Sequence, residues 1–450
     1  MNRIVTLAAA IAAVLGTGAA YATPPSLADI ESTTNNIFIA GSSAAKNAVL
    51  GALETNVCGG AGNAFIFNSS GNTNFFAVSC VPVAAASPAH TGVYNFFYRD
   101  EGGSVVGMLP IVNTKAINQL ALTAGTIGGC GSSPCSITVT GTSSANGTTD
   151  TFGPTGTVAK QFVDIGIADV EPAALIGANY PTPYSTTVWG PVNPSGLVNL
   201  PATQLFGEVY ALMVNEGSTI FTENPLNLSL QTAQQILTHK IRDWSLVTDV
   251  NGNAVTSGPL AITIVNREKG SGSRTAADLL IAGDVCTTGG GSLFDPGGAN
   301  PTDFFSTGDV LAAVGGVQGG ITYATIDQTL PAGVTKVTLN GVAPSNLSAA
   351  SGAYPFWVEA TFVINPSSPA DQAVMAFITS ALQTEATAPH LADVLAIPGV
   401  PSGPGANVPH AVIANSSSSV PALGNAAIFV NPFTRNGVTC NAPLYSAAQQ

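Results

Sequence analysis

The densest chemistry in this 450-residue chain lies between Asn266 and Asp278, in the run NREKGSGSRTAAD. Arg267, Lys269 and Arg274 are three of only 12 basic residues, and they surround Gly270-Ser271-Gly272-Ser273. An apolar run, LAITIV, precedes them and an apolar helical pattern follows, so the spacing predicts strand, tight turn and helix start. Glycines let the backbone turn and come close to a ligand. Ser271 and Ser273 supply hydroxyl donors, and the helix start supplies unpaired N–H groups with the positive end of a dipole. With the two-pronged guanidinium of Arg267, these groups suit an oxyanion. Glu268 and Arg274 read as solvated neighbours, and Lys269 has no obvious role.

Two other junctions have the same form: IAGSSAAK around Ser43 and EGGSVVG around Ser104. A third strand, QFVDIGIADVEP, ends in a polar turn at Asp169. A nucleotide P-loop, a Gly-x-Ser-x-Gly nucleophile turn and a His-Glu-x-x-His motif are all missing from the sequence. The four histidines are scattered and no Cys-x-x-Cys occurs, so the sequence calls for no metal or other cofactor.

Elements that hold such junctions must alternate. Strand patterns at GVYNFFYRD, TQLFGEVYALMVN, GGITYATI and YPFWVEATFVIN are interleaved with helical patterns. One of these is NLSLQTAQQILTHKIRDW with Ser229 as N-cap; another is SSPADQAVMAFITSALQ with Ser368 as cap, Pro369 at the first helical position and Asp371 in the first turn. The expected fold class is α/β, with mainly parallel sheets flanked by helices and ligands gathering where strands end. Two Gly/Ser-rich, cysteine-bearing stretches read as insertions: Thr55–His90, stapled, and Thr123–Val158, a loop or hairpin with short β-like pieces such as SITVT; Pro/Gly/Ser-rich loops run from Pro398 to Pro421.

Charged residues make up 8% of the chain, the net charge is −13 and mean hydropathy is +0.34. Nucleic acid is a poor partner for such a surface. A long apolar run occurs once, after Arg3, and closes with Ala20-Tyr21-Ala22. It reads as a signal peptide over 1–22 cut after about Ala22, which implies a secreted or periplasmic protein without stable membrane insertion. Six cysteines fit an oxidising compartment. Their connectivity is open: Cys130 and Cys135 would close a small loop, leaving Cys58–Cys80 and Cys286–Cys440 as a pairing.

REKGSGSRTAAD resembles the Arg-x-x-Gly-Ser-Gly-Thr motif of periplasmic phosphate-binding proteins, the type 2 substrate-binding components of phosphate ABC importers. IAGSSAAK, EGGSVVG, FVDIGIADVEP, QILTHKIRDW, GGITYA and YPFWVEATFVI resemble further family segments in the same order. The resemblance implies two lobes joined by two hinge crossings, lobe I at 23–206 plus 356–450 and lobe II at 207–355. It implies inorganic phosphate as ligand, held by Ser43, Ser104, Asp169, Arg267, Ser271, Gly272 and Ser273, in a monomer that works with an importer permease. Asp169 would select phosphate over sulfate, because an acceptor-only carboxylate tolerates an anion that still carries a proton. Ser43-Ala44 stands where the family has Thr-Phe, and Lys269 where many members are acidic.

No histidine is placed by sequence to activate a serine, so binding without chemistry is the expectation and the chain does not read as an enzyme. Two alternatives are a secreted surface protein with a retuned or lost anion site, and a secreted phosphatase on the same scaffold.

Overall fold

In chain order, β1 (Asn36–Gly41) leads through a Ser-rich turn into α1 (Lys46–Ala52). β2 (Phe65–Gly71), β3 (Phe75–Cys80) and β4 (Tyr94–Arg99) follow, and then α2 (Ser104–Val112), β5 (Cys135–Val139) and β6 (Ile165–Ala168). The long β7 (Thr203–Asn215) precedes α3 (Leu230–Leu237), β8 (Thr263–Ile264), α4 (Gly272–Ala277) and α5 (Thr307–Gly315). The last main elements are β9 (Gly320–Thr325), β10 (Val334–Lys336), β11 (Trp357–Ile364) and α6 (Gln372–Glu385). This computed structural model describes residues 23–83, 92–142, 151–180, 190–191, 193–283, 303–370, 372–385, 412–415, 430–431 and 433–445.

The main sheet runs β8-β9-β7-β11-β6-β1-β4-β3-β2-β5, with helices packed on it. The α/β architecture is the expected one, and its sheet is mixed. Parallel pairing holds for β4-β1-β6, for β8-β9 and for β2-β5. The β2-β3-β4 meander and every contact of β7 and β11 are antiparallel.

β7 is buried from Leu205 to Asn215, which explains its near-continuous apolar run. Its first half pairs with β11, from Thr203↔Phe362 to Val209↔Trp357. Its second half pairs with β9 and β10, so one strand belongs to both ends of the sheet. The boundaries expected at 206–207 and 355–356 fall inside β7 and just before β11.

α2 lies close on β1 and β6 because Gly107 faces their backbones. A Cβ there would stand 2.6 Å from the Ala40 carbonyl and 2.7 Å from that of Ile167. This contact sets the start of α2 beside the end of β6.

Two expectations are corrected. Thr55–His90 is not an insertion apart from the fold, since its runs FIFNSSG and FFAVSC become β2 and β3 of the main sheet. Their apolar residues fill the core, which outweighs the Gly and Asn around them. In Thr123–Val158 the β-like run SITVT does form a strand, β5, paired with β2. α6 begins at Gln372: Ser368 Oγ accepts from Ala370 N at 2.9 Å but also donates to Asp164, which holds Ser368 in the preceding turn.

Ser229 caps α3, accepting from Thr232 N at 2.9 Å. Disulfides join Cys58 to Cys80 and Cys130 to Cys135. Cys440 is also disulfide-bonded, while Cys286 lies outside the described residues, as do residues 1–22, Asp371 and most of 398–421. No helix among the described residues is long and apolar enough to cross a membrane.

Candidate functional site

Arg267 leaves the sheet just after β8 and is 1% exposed. Its Nη1 donates to Thr307 Oγ1 at 2.8 Å and to Ser43 Oγ at 3.2 Å, and its Nη2 donates to the Phe305 carbonyl at 3.1 Å. The Ser43 and Thr307 hydroxyls are 2.8 Å apart. The guanidinium therefore bridges the loop after β1 to the start of α5. Arg274 holds it in place from behind, with Nη1 donating to the Arg267 carbonyl at 2.7 Å and pairing with Asp303 at 2.9 Å.

The Gly-Ser-Gly-Ser turn caps α4 as its residue types require. Ser271 is the N-cap, its Oγ accepting from Arg274 N at 3.4 Å. Two residues on, Ser273 Oγ donates to Asp169 Oδ2 at 3.2 Å. Asp169 N donates to Ser104 Oγ at 2.9 Å, and Val105 N donates to the Gly270 carbonyl at 3.1 Å. Gly272 sits between these groups: a Cβ on it would meet Asp169 Oδ2 at 2.7 Å and run into Ser104 Oγ. Gly103, the N-cap of α2, has φ +70°, and a Cβ there would face Arg267 Nη2 at 3.2 Å.

All seven residues predicted from sequence are therefore brought together, each within one or two contacts of Arg267 or Asp169. The starts of α1, α2, α4 and α5 converge on them. Their caps are Ala45, Gly103, Ser271 and Ser306. Ser42 Oγ accepts from Ala45 N at 2.9 Å, and Ser306 Oγ accepts from Asp309 N at 3.1 Å.

Beneath this cradle lie carboxyls that burial pushes upward. Asp169 is raised by desolvation, opposed by hydrogen bonding from Ser42, by the Arg267 charge and by the hydrogen bond from Ser273. Its Oδ1 has no partner. Glu208 on β7 is fully buried and raised well above the usual range, first by desolvation and then by the negative Asp169. Tyr210, two residues on and therefore on the same strand face, donates to Glu208 Oε2 at 3.1 Å.

Two sequence readings fail here. Arg274 and Glu268 are not solvated: they are 2% and 8% exposed. Arg274 turns inward because a buried carbonyl and Asp303 satisfy its donors. Burial raises the Glu268 carboxyl, with Arg267 opposing. Lys269 is half-buried. Sequence reasoning also missed Thr307, Glu208 and Tyr210. A capping pattern, Ser306-Thr-Gly-Asp309, marked the start of α5, and a lone glutamate inside LFGEVYALM was the signal for Glu208.

Solved structures similar to this chain include phosphate-binding proteins. One is an ABC-type phosphate transport receptor from Vibrio cholerae, at 13% identity and TM-score 0.39, matched over 76% of this chain and 93% of its own. Another is PstS from Borrelia burgdorferi, at 13% identity and TM-score 0.35, over 80% of this chain and 96% of its own. A phosphate-binding protein from Stenotrophomonas maltophilia matches at 12% identity and TM-score 0.39, over 82% and 87%. No protein-family model and no curated protein matches the chain. The case for a ligand rests on this chain's own geometry.

That geometry gathers one buried guanidinium, four hydroxyls (Ser43, Thr307, Ser271, Ser273), four helix starts and one carboxylate acceptor, Asp169. It can hold a compact oxyanion that both accepts several hydrogen bonds and donates one.

Proposed function

We propose that the cradle binds inorganic phosphate, or a tetrahedral oxyanion of the same protonation, without transforming it. The observation that carries this is Arg267, buried and shared between Ser43 and Thr307, with Ser273 reaching Asp169 beside it. In an acidic chain the general field repels anions, so binding needs such local donors.

Asp169 sets the choice among anions. Phosphate near neutral pH keeps a proton and donates it to the carboxylate; sulfate has none and is repelled. Arsenate, protonated like phosphate, should bind.

The groups come from two sides: Ser43, Ser104 and Asp169 from the β1-β4-β6 region, and Arg267, Ser271–Ser273 and Thr307 from the β8-β9 region. We assign the first to a lobe of residues 23–206 plus 356–450, the second to a lobe of residues 207–355, and the hinge to β7 and β11. The contacts Ser43–Thr307, Val105–Gly270 and Ser273–Asp169 then belong to a closed arrangement. An ion enters on opening, exchanges these contacts for its own, and favours closure by binding both lobes. Delivery to an importer permease by a monomer outside the cytoplasm is the role that fits such capture.

Calorimetric titration with phosphate, arsenate and sulfate tests the reading. One-site binding of the first two, with sulfate weaker by on the order of tenfold to several hundredfold, is expected. No heat with any of the three would refute it.

A further inference from the structure

A second buried network lies against the strands assigned to the hinge, and it is built by residues 433–445. This strap closes on itself as a hairpin, with Phe433 paired to Tyr445 and Thr434 to Leu444. Between those pairs it packs inward: Arg435 and Thr439 are 6% and 2% exposed. The Arg435 guanidinium lies 4.9 Å from the centre of the Trp357 ring on β11. Its Nη1 donates to the Thr439 carbonyl at 3.2 Å and to the Asn441 carbonyl at 2.7 Å, which fixes the shape of the strap.

Two carboxyls receive the strap. Glu359 on β11 is buried and accepts from Thr434 Oγ1 at 2.7 Å, Arg435 N at 3.1 Å and Gly437 N at 2.8 Å. Gln204 Nε2 of β7 donates to the same carboxyl at 3.0 Å. One side chain thus ties β7, β11 and the strap together. Glu171 is the second carboxyl. Its Oε2 accepts from Thr439 N at 2.9 Å and from Thr439 Oγ1 at 2.6 Å. Burial raises the Glu171 carboxyl, and the Thr439 bonds oppose that rise. Cys440, next in the chain, is disulfide-bonded, which anchors the strap covalently.

Glu171 stands two residues after Asp169, on the turn that leaves β6. The residue between them is held as well, since Thr361 Oγ1 of β11 donates to the Val170 carbonyl at 3.1 Å. The turn that presents Asp169 is therefore gripped by a hinge strand and by the strap, through contacts that include no cradle residue. Hydrogen bonds to carboxylates are the strong ones, so this grip is firm.

We infer that the strap is a brace for the anion site, with Thr439, Glu171 and Arg435 as positioning residues that fix the Asp169 turn against the hinge strands. The inference rests on the phosphate reading of the cradle. Arg435 shapes the strap, Thr439 holds Glu171, and the held turn sets where the Asp169 carboxyl meets the ion.

Hydrogen–deuterium exchange, with calorimetric titration of phosphate and sulfate into the full-length protein, tests this in Thr439→Val, Glu171→Ala and Thr439→Ser. Without ligand, the amides of Asp169, Val170 and Glu171 should exchange faster in Thr439→Val and Glu171→Ala, by on the order of tenfold. Phosphate Kd should weaken by on the order of tenfold in the same two variants, and the phosphate-to-sulfate ratio should fall. Thr439→Ser keeps the hydroxyl and should restore both readouts. Unchanged exchange in Thr439→Val and Glu171→Ala would overturn the brace. Faster exchange with an unaltered Kd and ratio would overturn its bearing on the anion. If the unaltered protein binds no phosphate, the cradle reading fails and the positioning role with it; exchange tells that failure from a strap that does not hold the turn.

Discussion

Asp169 carries the selectivity of the proposed site, and its environment makes that selectivity depend on pH. Burial raises its carboxyl, so its proton returns at a higher pH than for an exposed aspartate. Once protonated it can donate to a fully ionised anion, and the ground for rejecting sulfate disappears. The phosphate-to-sulfate affinity ratio should therefore fall as pH drops from neutral through the raised Asp169 value. Asp169→Asn should lower the ratio at neutral pH by roughly tenfold or more. Competition titrations read both; a ratio constant in pH and unchanged in the variant would contradict the role. At this scale the sequence was legible where chemistry is local. Arg267 and Ser271–Ser273 stand on one strand–turn–helix unit, so their types and spacing point to the cradle. Thr307 reaches Arg267 only through the fold, 40 residues on. The burial of Glu268 and Arg274 was hidden for a related reason: charged side chains default to solvent unless partners wait inside, and Asp303 and the Arg267 carbonyl are such partners.

Helix starts and close-packed loops are what the site is made from, and Gly272 is where two of them meet. Adding a methyl there forces it against Ser104 and Asp169, close to the Val105–Gly270 backbone link. Gly272→Ala should cost about 1–3 kcal/mol through overpacking. It should also weaken phosphate binding, because closure brings these same groups together. Differential scanning calorimetry and phosphate titration measure the two effects; wild-type values in both would show that the loops are not so tightly apposed. Elements with strong periodicity were legible, β1, β4, β7 and α3 among them. β2 and β3 were not. Short apolar runs between Gly, Asn and Ser look like loops until other strands cover them, and each of these pairs with residues distant in sequence or with its own hairpin partner. The mixed sheet has the same origin: strand direction follows from connections that local pattern does not encode.

Across the whole molecule, buried carboxyls outweigh exposed ones in setting the response to pH. Asp100, Asp164, Asp169, Glu171, Glu208 and Glu268 are all raised, in each case chiefly by desolvation. The native state keeps protons that the unfolded chain releases at ordinary carboxylate values. Unfolding then releases protons, so stability falls as pH rises from the ordinary carboxylate range through the raised values. The net charge of −13 acts in the same direction, since self-repulsion grows with ionisation. Tm should be higher near about pH 5.5 than near about pH 8; the reverse order would mean that these carboxyls are ionised and compensated in the native state. In the proposed two-lobe arrangement, opening about β7 and β11 would give phosphate a way in, and Arg267 would couple the two sides. Equilibrium dialysis with radiolabelled phosphate at neutral pH, comparing the unaltered protein with Arg267→Ala, tests this most directly. One ion bound per chain is predicted, with a loss of about 2–5 kcal/mol, on the order of thirtyfold or more in Kd, in the variant. Absence of binding by the unaltered protein, or equal binding by both, would contradict it.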